Sequence, residues 1–481
     1  MNTIFTKNRH NIPFSTFFTK RAVLLYFLAL IAVTFLPRFN TFPFHWLVFG
    51  IIEFSSFFYY TSLLSREWGS YSEKFFLKKI FKTALAIRII YVIFIYFFYI
   101  WMTGSPFEFE AGDACFYDNF GASIADGGLL NAFDIGAKSH ISISDMGYPI
   151  IIGLIYSIFG KIIIIPRIIN ALLSAWMCLF IYRITNRHFG ENTARLAAII
   201  SMLLPHFIYY CGLHLKETTM LFLLMLFIER IDFVLKDNKL NMKQLFPSLA
   251  IGMSLFLFRN VLGMSAWLGF FSVLIFTTER LVGWSKRIVI VFFVSIVVAF
   301  FMSGRIEEEI SSNWKDREKT QIQNMNFRSV RKDGNKYAKY GSAAMFAPVI
   351  LIVPITTIAN LTDQQNTMLI NGNLFVKNVM AFFLLVTLYV IFFRDKTYRQ
   401  HSLLLAVYFI YLIILAFSSF AISERFHLPI MPFFVIFVAY GITQTKGKIA
   451  RYYVPYLVLL GLIIFVWNVF KLIGKGYMSN F

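Results

Sequence analysis

Long apolar runs alternate with short basic connections along almost the whole chain. A membrane-spanning helix needs about 20 apolar residues, and about thirteen runs approach that length. They lie near 22–37, 44–64, 84–102, 164–182, 193–210, 218–234, 245–259, 262–278, 288–303, 376–393, 402–420, 428–444 and 453–472. Two further apolar stretches, 147–160 and 346–360, are shorter and carry Pro or Gly. That predicts re-entrant or interfacial helices in place of full spans. One long polar interruption stands apart, residues 102–162, reading TGSPFEFEAGDACFYDNFGASIADGG and later SDMGYPIIIGLIYSIFG. It gathers Glu108, Glu110, Asp113, Asp118, Asp126, Asp134 and Asp145. The pattern predicts an all-α integral membrane protein organised around this loop.

Lysine and arginine set the orientation. The connections 65–83, 183–191, 229–243, 279–287, 394–399 and 446–451 are basic. All become cytoplasmic if the N-terminus is inside and neither 147–160 nor 346–360 spans, because positive loops stay on the cytoplasmic side. The acidic loop then faces outward. Making 147–160 a span would put Arg183 and Arg187 outside, so the charge pattern decides against it. Loop 304–340 resists the scheme: it carries Arg305, Lys315, Arg317, Lys319, Arg328, Arg331, Lys332, Lys336 and Lys339 on the outer side. Either the topology differs there or the loop is basic because it meets an anionic substrate; the second reading is favoured. The basic head Lys7, Arg9, Lys20 and Arg21, with no small-residue cleavage pattern after the first apolar run, predicts an uncleaved signal anchor.

Composition agrees. Of 481 residues 58% are hydrophobic, 19% aromatic and 15% charged, where soluble domains run at about a quarter charged. Mean hydropathy is +0.66. The net charge of +20 does not call for nucleic acid, since the cations sit in short connections and no basic soluble domain carries them. Cys115, Cys178 and Cys211 show no metal spacing; Cys178 lies in an apolar run, while Cys115 and Cys211 share the outer side and could bridge. No HxxxH or HExxH is present, so no histidine-built metal site is expected.

Asp113 is the strongest candidate for chemistry. Gly112 precedes it, Tyr117 follows one helical turn later, and FYDNFGASIADGG can form a short helix behind it. A carboxylate at the membrane surface is costly unless used or paired, and a general base must be held within hydrogen-bond reach of its proton. Solvated loop acids need no such role. Glu108 and Glu110 read as solvated and Asp126, before Gly127 and Gly128, as a turn residue. Asp118 is held in reserve.

The run GDACFYDNFGASIADGG, then GYPIIIGLIYSIFG, then PRIINALLSAWMCLFIYRITNRHFGENTARLAAIISMLLPHFIYY, and late in the chain SERFHLPIMPFFVIFVAYGI, resembles the GT-C superfamily of polytopic glycosyltransferases. It looks most like the bacterial branch related to protein O-mannosyltransferases and lipid A aminoarabinose transferases. The resemblance covers about 84–444, with a first outer loop 102–162 and a late outer loop 304–345. Residues 1–83 then form a two-helix N-terminal addition and 445–481 a last transmembrane helix. The resemblance implies a GT-C fold, a catalytic Asp113 with Tyr117 in the usual following position, and a sugar donor linked to polyprenyl phosphate. The acceptor it implies is a glycan or lipid of the cell envelope, with protein as the alternative. Transfer would invert the anomeric carbon on the outer face of a bacterial-type inner membrane. Many relatives carry a basic or Pro-rich element just before Tyr148-Pro149; here Ser144-Asp145-Met146 stands instead.

A leaving phosphate needs positive charge in a low-dielectric site. Arg167, Lys216, Arg259 and Arg425 are the candidates. Arg167 reads equally as a snorkelling anchor, and Arg425 as half of an ion pair with Glu424. Lys216 and Glu217 are adjacent and so face different partners; Glu217 reads as a second site carboxylate or as an acid favoured at a helix N-terminus. Some superfamily members need a divalent metal, for which Asp113, Asp118 and Glu217 are the oxygen donors here. Two other classes remain open: a lipid-linked glycan flippase or transporter, and a polysaccharide polymerase or ligase with basic late loops. The first predicts paired repeats and broken helices at mid-membrane; the acids instead concentrate in one asymmetric loop.

Overall fold

The computed structural model describes residues 14–34, 44–236, 242–276, 349–359, 365–416 and 421–473, with single positions 288, 292 and 418. Among them every regular element is helical: α1 (Thr16–Thr34), α2 (Phe44–Glu67), α3 (Glu73–Thr103), α4 (Gly112–Gly127), α5 (Ala132–Lys138), α6 (Gly147–Phe159), α7 (Ile164–Phe189), α8 (Glu191–Leu203) and α9 (Pro205–Cys211). These are followed by α10 (Glu217–Lys236), α11 (Met242–Ser254), α12 (Asn260–Phe276), α13 (Gln365–Leu369), α14 (Asn371–Tyr389), α15 (Ser402–Ala416), α16 (Glu424–His427), α17 (Met431–Gln444) and α18 (Tyr453–Ile473). Among the described residues eight helices are long and apolar enough to cross a membrane, or nine if α8 and α9, bent by 45°, form one broken span. The expected spans 245–259 and 262–278 are shorter apolar helices. Of the expected span 288–303 only positions 288 and 292 are described, and the basic loop 304–340 lies outside the described residues.

Helices α14 and α17 form the centre and are buried almost throughout. Helix α17 is apolar on nearly all faces, which suits a helix surrounded by others, while α14 also buries Asn371, Asn373, Lys377 and Asn378. Around them pack α2, α7 and α8. Helices α3 and α18 lie outermost and expose Phe97, Trp101, Val458 and Leu462, the apolar surface that lipid would cover. The two N-terminal helices are built into the bundle. Tyr26 donates to Asn371 Oδ1 at 2.9 Å, and the Phe18 ring lies edge-on to Phe383 and Tyr453.

The break between α8 and α9 has a local cause and a distant remedy. Pro205 has no N–H, so the carbonyl of Ser201, four residues back, loses its helical partner. Arg88 of α3, fully buried, donates from Nη2 to Ser201 O at 3.1 Å and from Nη1 to Met202 O at 3.1 Å. Its Nε reaches Ser174 Oγ at 2.7 Å. A cation inside an apolar run thereby satisfies the carbonyl that the proline frees and the one beside it at the bend, as a bent span requires.

Stretch 349–359, expected as a short helix, has no regular structure from Val353 onward. Its backbone is instead matched by two asparagines in spans. Asn378 Oδ1 accepts from Thr356 N at 2.9 Å and its Nδ2 donates to Ile352 O and Pro354 O. Asn468 Oδ1 accepts from Ile358 N and Ala359 N at 2.7 and 2.9 Å. Irregular backbone is tolerated at membrane depth only with such partners.

Helix α6 has 13 residues, about 20 Å of rise, too short for a hydrocarbon core of about 30 Å. It packs tightly against α4. A Cβ on Gly121 would overlap the Ile152 side chain, and one on Gly153 would come within 2.6 Å of Ile124 Cγ2. Two glycines facing each other's helix thus allow the close approach that holds α4 in place.

Candidate active site

Three carboxylates stand at helix N-termini, and two of them, Asp113 and Glu217, converge on one arginine. Asp113 lies in the first turn of α4, Glu217 in the first turn of α10 and Glu424 at the start of α16. Acids are favoured there because the helix dipole is positive at its N-terminus. Between them stands Arg425. Its Nη1 donates to Asp113 Oδ2, and its Nε donates to Glu217 Oε1 at 2.5 Å. Glu217 is fully buried. The same oxygen accepts from Arg259 Nη2 at 3.3 Å. Arg259 sits at the break between α11 and α12, with its guanidinium 4.4 Å from the centre of the Phe426 ring and its Nη1 3.5 Å from the Tyr411 hydroxyl. A buried carboxylate held by two guanidiniums is a charge that burial alone would not tolerate.

A second ion pair flanks the first. Lys216 donates from Nζ to Asp145 Oδ1, and the Tyr117 hydroxyl lies 3.5 Å from the same oxygen. Adjacent Lys216 and Glu217 therefore take different partners, as neighbours on a helix do. Burial pulls the Lys216 ammonium below the usual lysine value, with the Asp145 carboxylate acting against it. Three cations, Arg259, Arg425 and Lys216, thus face three carboxylates, Asp113, Glu217 and Asp145.

The other expected residues lie apart. Arg167 is neither a snorkelling anchor nor part of this cluster: it is fully buried, donates from Nη2 to Pro106 O, and rests 5.7 and 5.9 Å from the Tyr96 and Phe107 ring centres. Asp118 accepts from the Tyr156 hydroxyl at 2.5 Å and pairs with Lys161 at 2.9 Å. Asp113 and Glu217 share Arg425 while Asp118 turns to Lys161, so the three oxygen donors expected for a divalent cation do not gather. Among the described residues no group of three or more His, Cys, Asp or Glu is placed to hold a metal. Glu108, expected to be solvated, has an enclosed Oε2 and a carboxyl raised above its usual range by burial, with Arg167 and Arg425 pulling it back. Cys115 and Cys211 are not bridged. His214 is buried; desolvation, then Arg167 and Lys161, push its imidazole down to about 3, so the ring is neutral at working pH.

Two features were not foreseen. Asp145 is the partner of Lys216, and its signal was in view as the acid just before Tyr148-Pro149. Glu424 does not pair with Arg425. It accepts from the Tyr210 hydroxyl and lies 3.4 Å from His206 Nε2. Behind it, Lys377 donates to Val353 O and lies 3.2 Å from His427 Nδ1. His427 Nε2 is 2.7 Å from Ala421 O. That nitrogen carries the proton and donates to the carbonyl, leaving Nδ1 to accept from Lys377. Lys377 could have been noticed as a cation inside an apolar run. No protein-family model, curated protein or solved structure matches the chain.

Proposed function

We propose that the chain is an inverting glycosyltransferase. It takes a sugar from a polyprenyl-phosphate carrier and places it on an envelope glycan or glycolipid, on the outer face of a bacterial-type inner membrane. The reading includes a GT-C fold, with α10 and α12 as further crossings. One observation carries it: Asp113 and Arg425, distant in sequence, meet where Glu217 secures a second guanidinium, Arg259. A general base beside fixed cations is what displacement at a phosphorylated anomeric carbon requires.

The acceptor hydroxyl oxygen attacks the anomeric carbon and forms the new C–O bond. The bond from that carbon to the phosphate oxygen breaks, and its electron pair leaves on the phosphate. The acceptor's proton passes to Asp113. Arg259, Arg425 and Lys216 offset the charge that develops on the phosphate. A single displacement inverts the anomeric carbon. The exposed position of Asp113 suits a base that must reach an incoming hydroxyl.

The test is transfer by purified protein from a synthetic short-chain polyprenyl-phosphate sugar. Asp113→Asn is expected to lower the rate by about 100-fold or more. Transfer near the wild-type rate would remove Asp113 from its role. Movement of the lipid-linked sugar across a vesicle membrane, with no transfer by either protein, would replace the enzyme with a transporter.

A further inference from the structure

We infer that Asp113 and the donor phosphate compete for Arg425, so that donor binding is what releases the base. The inference rests on the polyprenyl-phosphate reading above and adds an order to it.

The geometry has an enclosed side and an open side. On the enclosed side Glu217, with no exposure, accepts from both Arg425 and Arg259. It is the anchor that holds the two guanidiniums near each other. On the open side Arg425 Nη1 donates to Asp113, whose side chain is 57% exposed. Any anion approaching the guanidinium from solvent therefore meets Asp113 already there. A guanidinium offers a planar fork that suits a carboxylate or a phosphate equally, so the two are chemically interchangeable occupants.

Charge makes the exchange one for one. Lys216 and Asp145 cancel. Arg259, Arg425 and Glu217 together leave one positive charge, and Asp113 supplies the matching negative one. A polyprenyl-phosphate sugar is a phosphodiester and carries one negative charge. If both anions stayed, two negative charges would share the one positive charge left on the Arg259, Arg425 and Glu217 group. The donor therefore takes the place of Asp113 on Arg425. The Oδ2 lone pair, engaged by Arg425 in the free protein, becomes available to the acceptor hydroxyl only after the donor is seated. After transfer Asp113 is protonated. Its return to the carboxylate by loss of that proton to water restores its claim on Arg425 and helps expel the polyprenyl phosphate.

The competition is read by titrating full-length protein in lipid nanodiscs with the methyl diester of a short-chain polyprenyl phosphate, which carries the donor's single negative charge, with the corresponding prenol as the reference for lipid-chain binding alone. Asp113→Asn removes the competitor and leaves both arginines, so it is expected to bind the phosphate about tenfold tighter or more, a gain of about 1.4 kcal/mol per factor of ten. Glu110→Gln removes an exposed carboxylate three positions away and is expected to bind like wild type within about twofold. The competition is overturned if Asp113→Asn binds no tighter, or if Glu110→Gln tightens binding as much, which would make the effect a general field. Binding by wild type without the Asp113→Asn gain leaves the polyprenyl-phosphate reading intact. Binding no better than prenol by every form removes that reading, and the competition with it.

Discussion

Asp113 and Glu217 hang from one guanidinium: Arg425 donates to the first from Nη1 and to the second from Nε. The two carboxylates have opposite surroundings, one open to solvent and one sealed. The open one is free to change partner and is the base proposed here. The sealed one is fixed by two cations and holds them in place.

Glu217→Gln keeps the size of the side chain and removes its charge. Arg259 and Arg425 then face each other with no negative charge between them. Breaking a buried ionic group in this way costs on the order of 3 kcal/mol or more. The expected result is a lower thermal midpoint in detergent for Glu217→Gln, beyond that of Asp113→Asn. Equal midpoints for the two variants would mean that Glu217 anchors nothing.

Lys216 gives the site an alkaline limit. Burial lowers its proton affinity below the ordinary 10.5. Between the lowered value and 10.5 the folded protein holds fewer protons than the unfolded chain, so this group adds stability as pH rises through that window. The same window removes the ammonium charge from the site and breaks its pair with Asp145. Transfer is therefore expected to fall on the alkaline side before pH 10.5, and Lys216→Arg to extend activity upward, because arginine keeps its charge. Superimposable pH profiles would exclude Lys216 from the chemistry.

Arg88 holds the bend between α8 and α9. Replacing it with methionine leaves the Ser201 and Met202 carbonyls without the partner that offsets Pro205. The expected loss is on the order of 3 kcal/mol, seen as a lower midpoint of unfolding, with Arg88→Lys intermediate. Restoring an N–H by Pro205→Ala in the Arg88→Met background should recover part of the loss, and no recovery would place the role of Arg88 elsewhere.

Asn378 and Asn468 hold the irregular stretch after Val353. Each Oδ1 accepts from a backbone N–H and each Nδ2 donates to a backbone carbonyl. Asn378→Leu or Asn468→Leu strands several buried groups at about 1–3 kcal/mol each. Faster proteolysis at 349–359 in the folded protein is the expected readout. Wild-type resistance would show that these bonds do not hold the segment.

The sequence by itself determined an all-helical chain with long apolar helices, the acidic loop among them, and the residue types able to do chemistry. Hydropathy and helix period are local properties, readable within a window of about 20 residues. From those signals Asp113, Glu217, Arg259, Arg425 and Lys216 could be named. Their pairing could not. Whether Arg425 faces Glu424 beside it or Asp113 in the first loop depends on how α4, α10 and α16 pack, and no local pattern encodes that. Arg167 and Asp118 show the same limit from the other side: equally plausible as residue types, they end in surroundings of their own, apart from the Arg425 cluster. Arg88, Asn378, Lys377 and Asn468 look like polar faults in apolar runs until the fold supplies the backbone groups, the histidine and the proline-freed carbonyls they answer. Tertiary structure decided these partners because a buried charge or amide is tolerated only where a distant segment completes it.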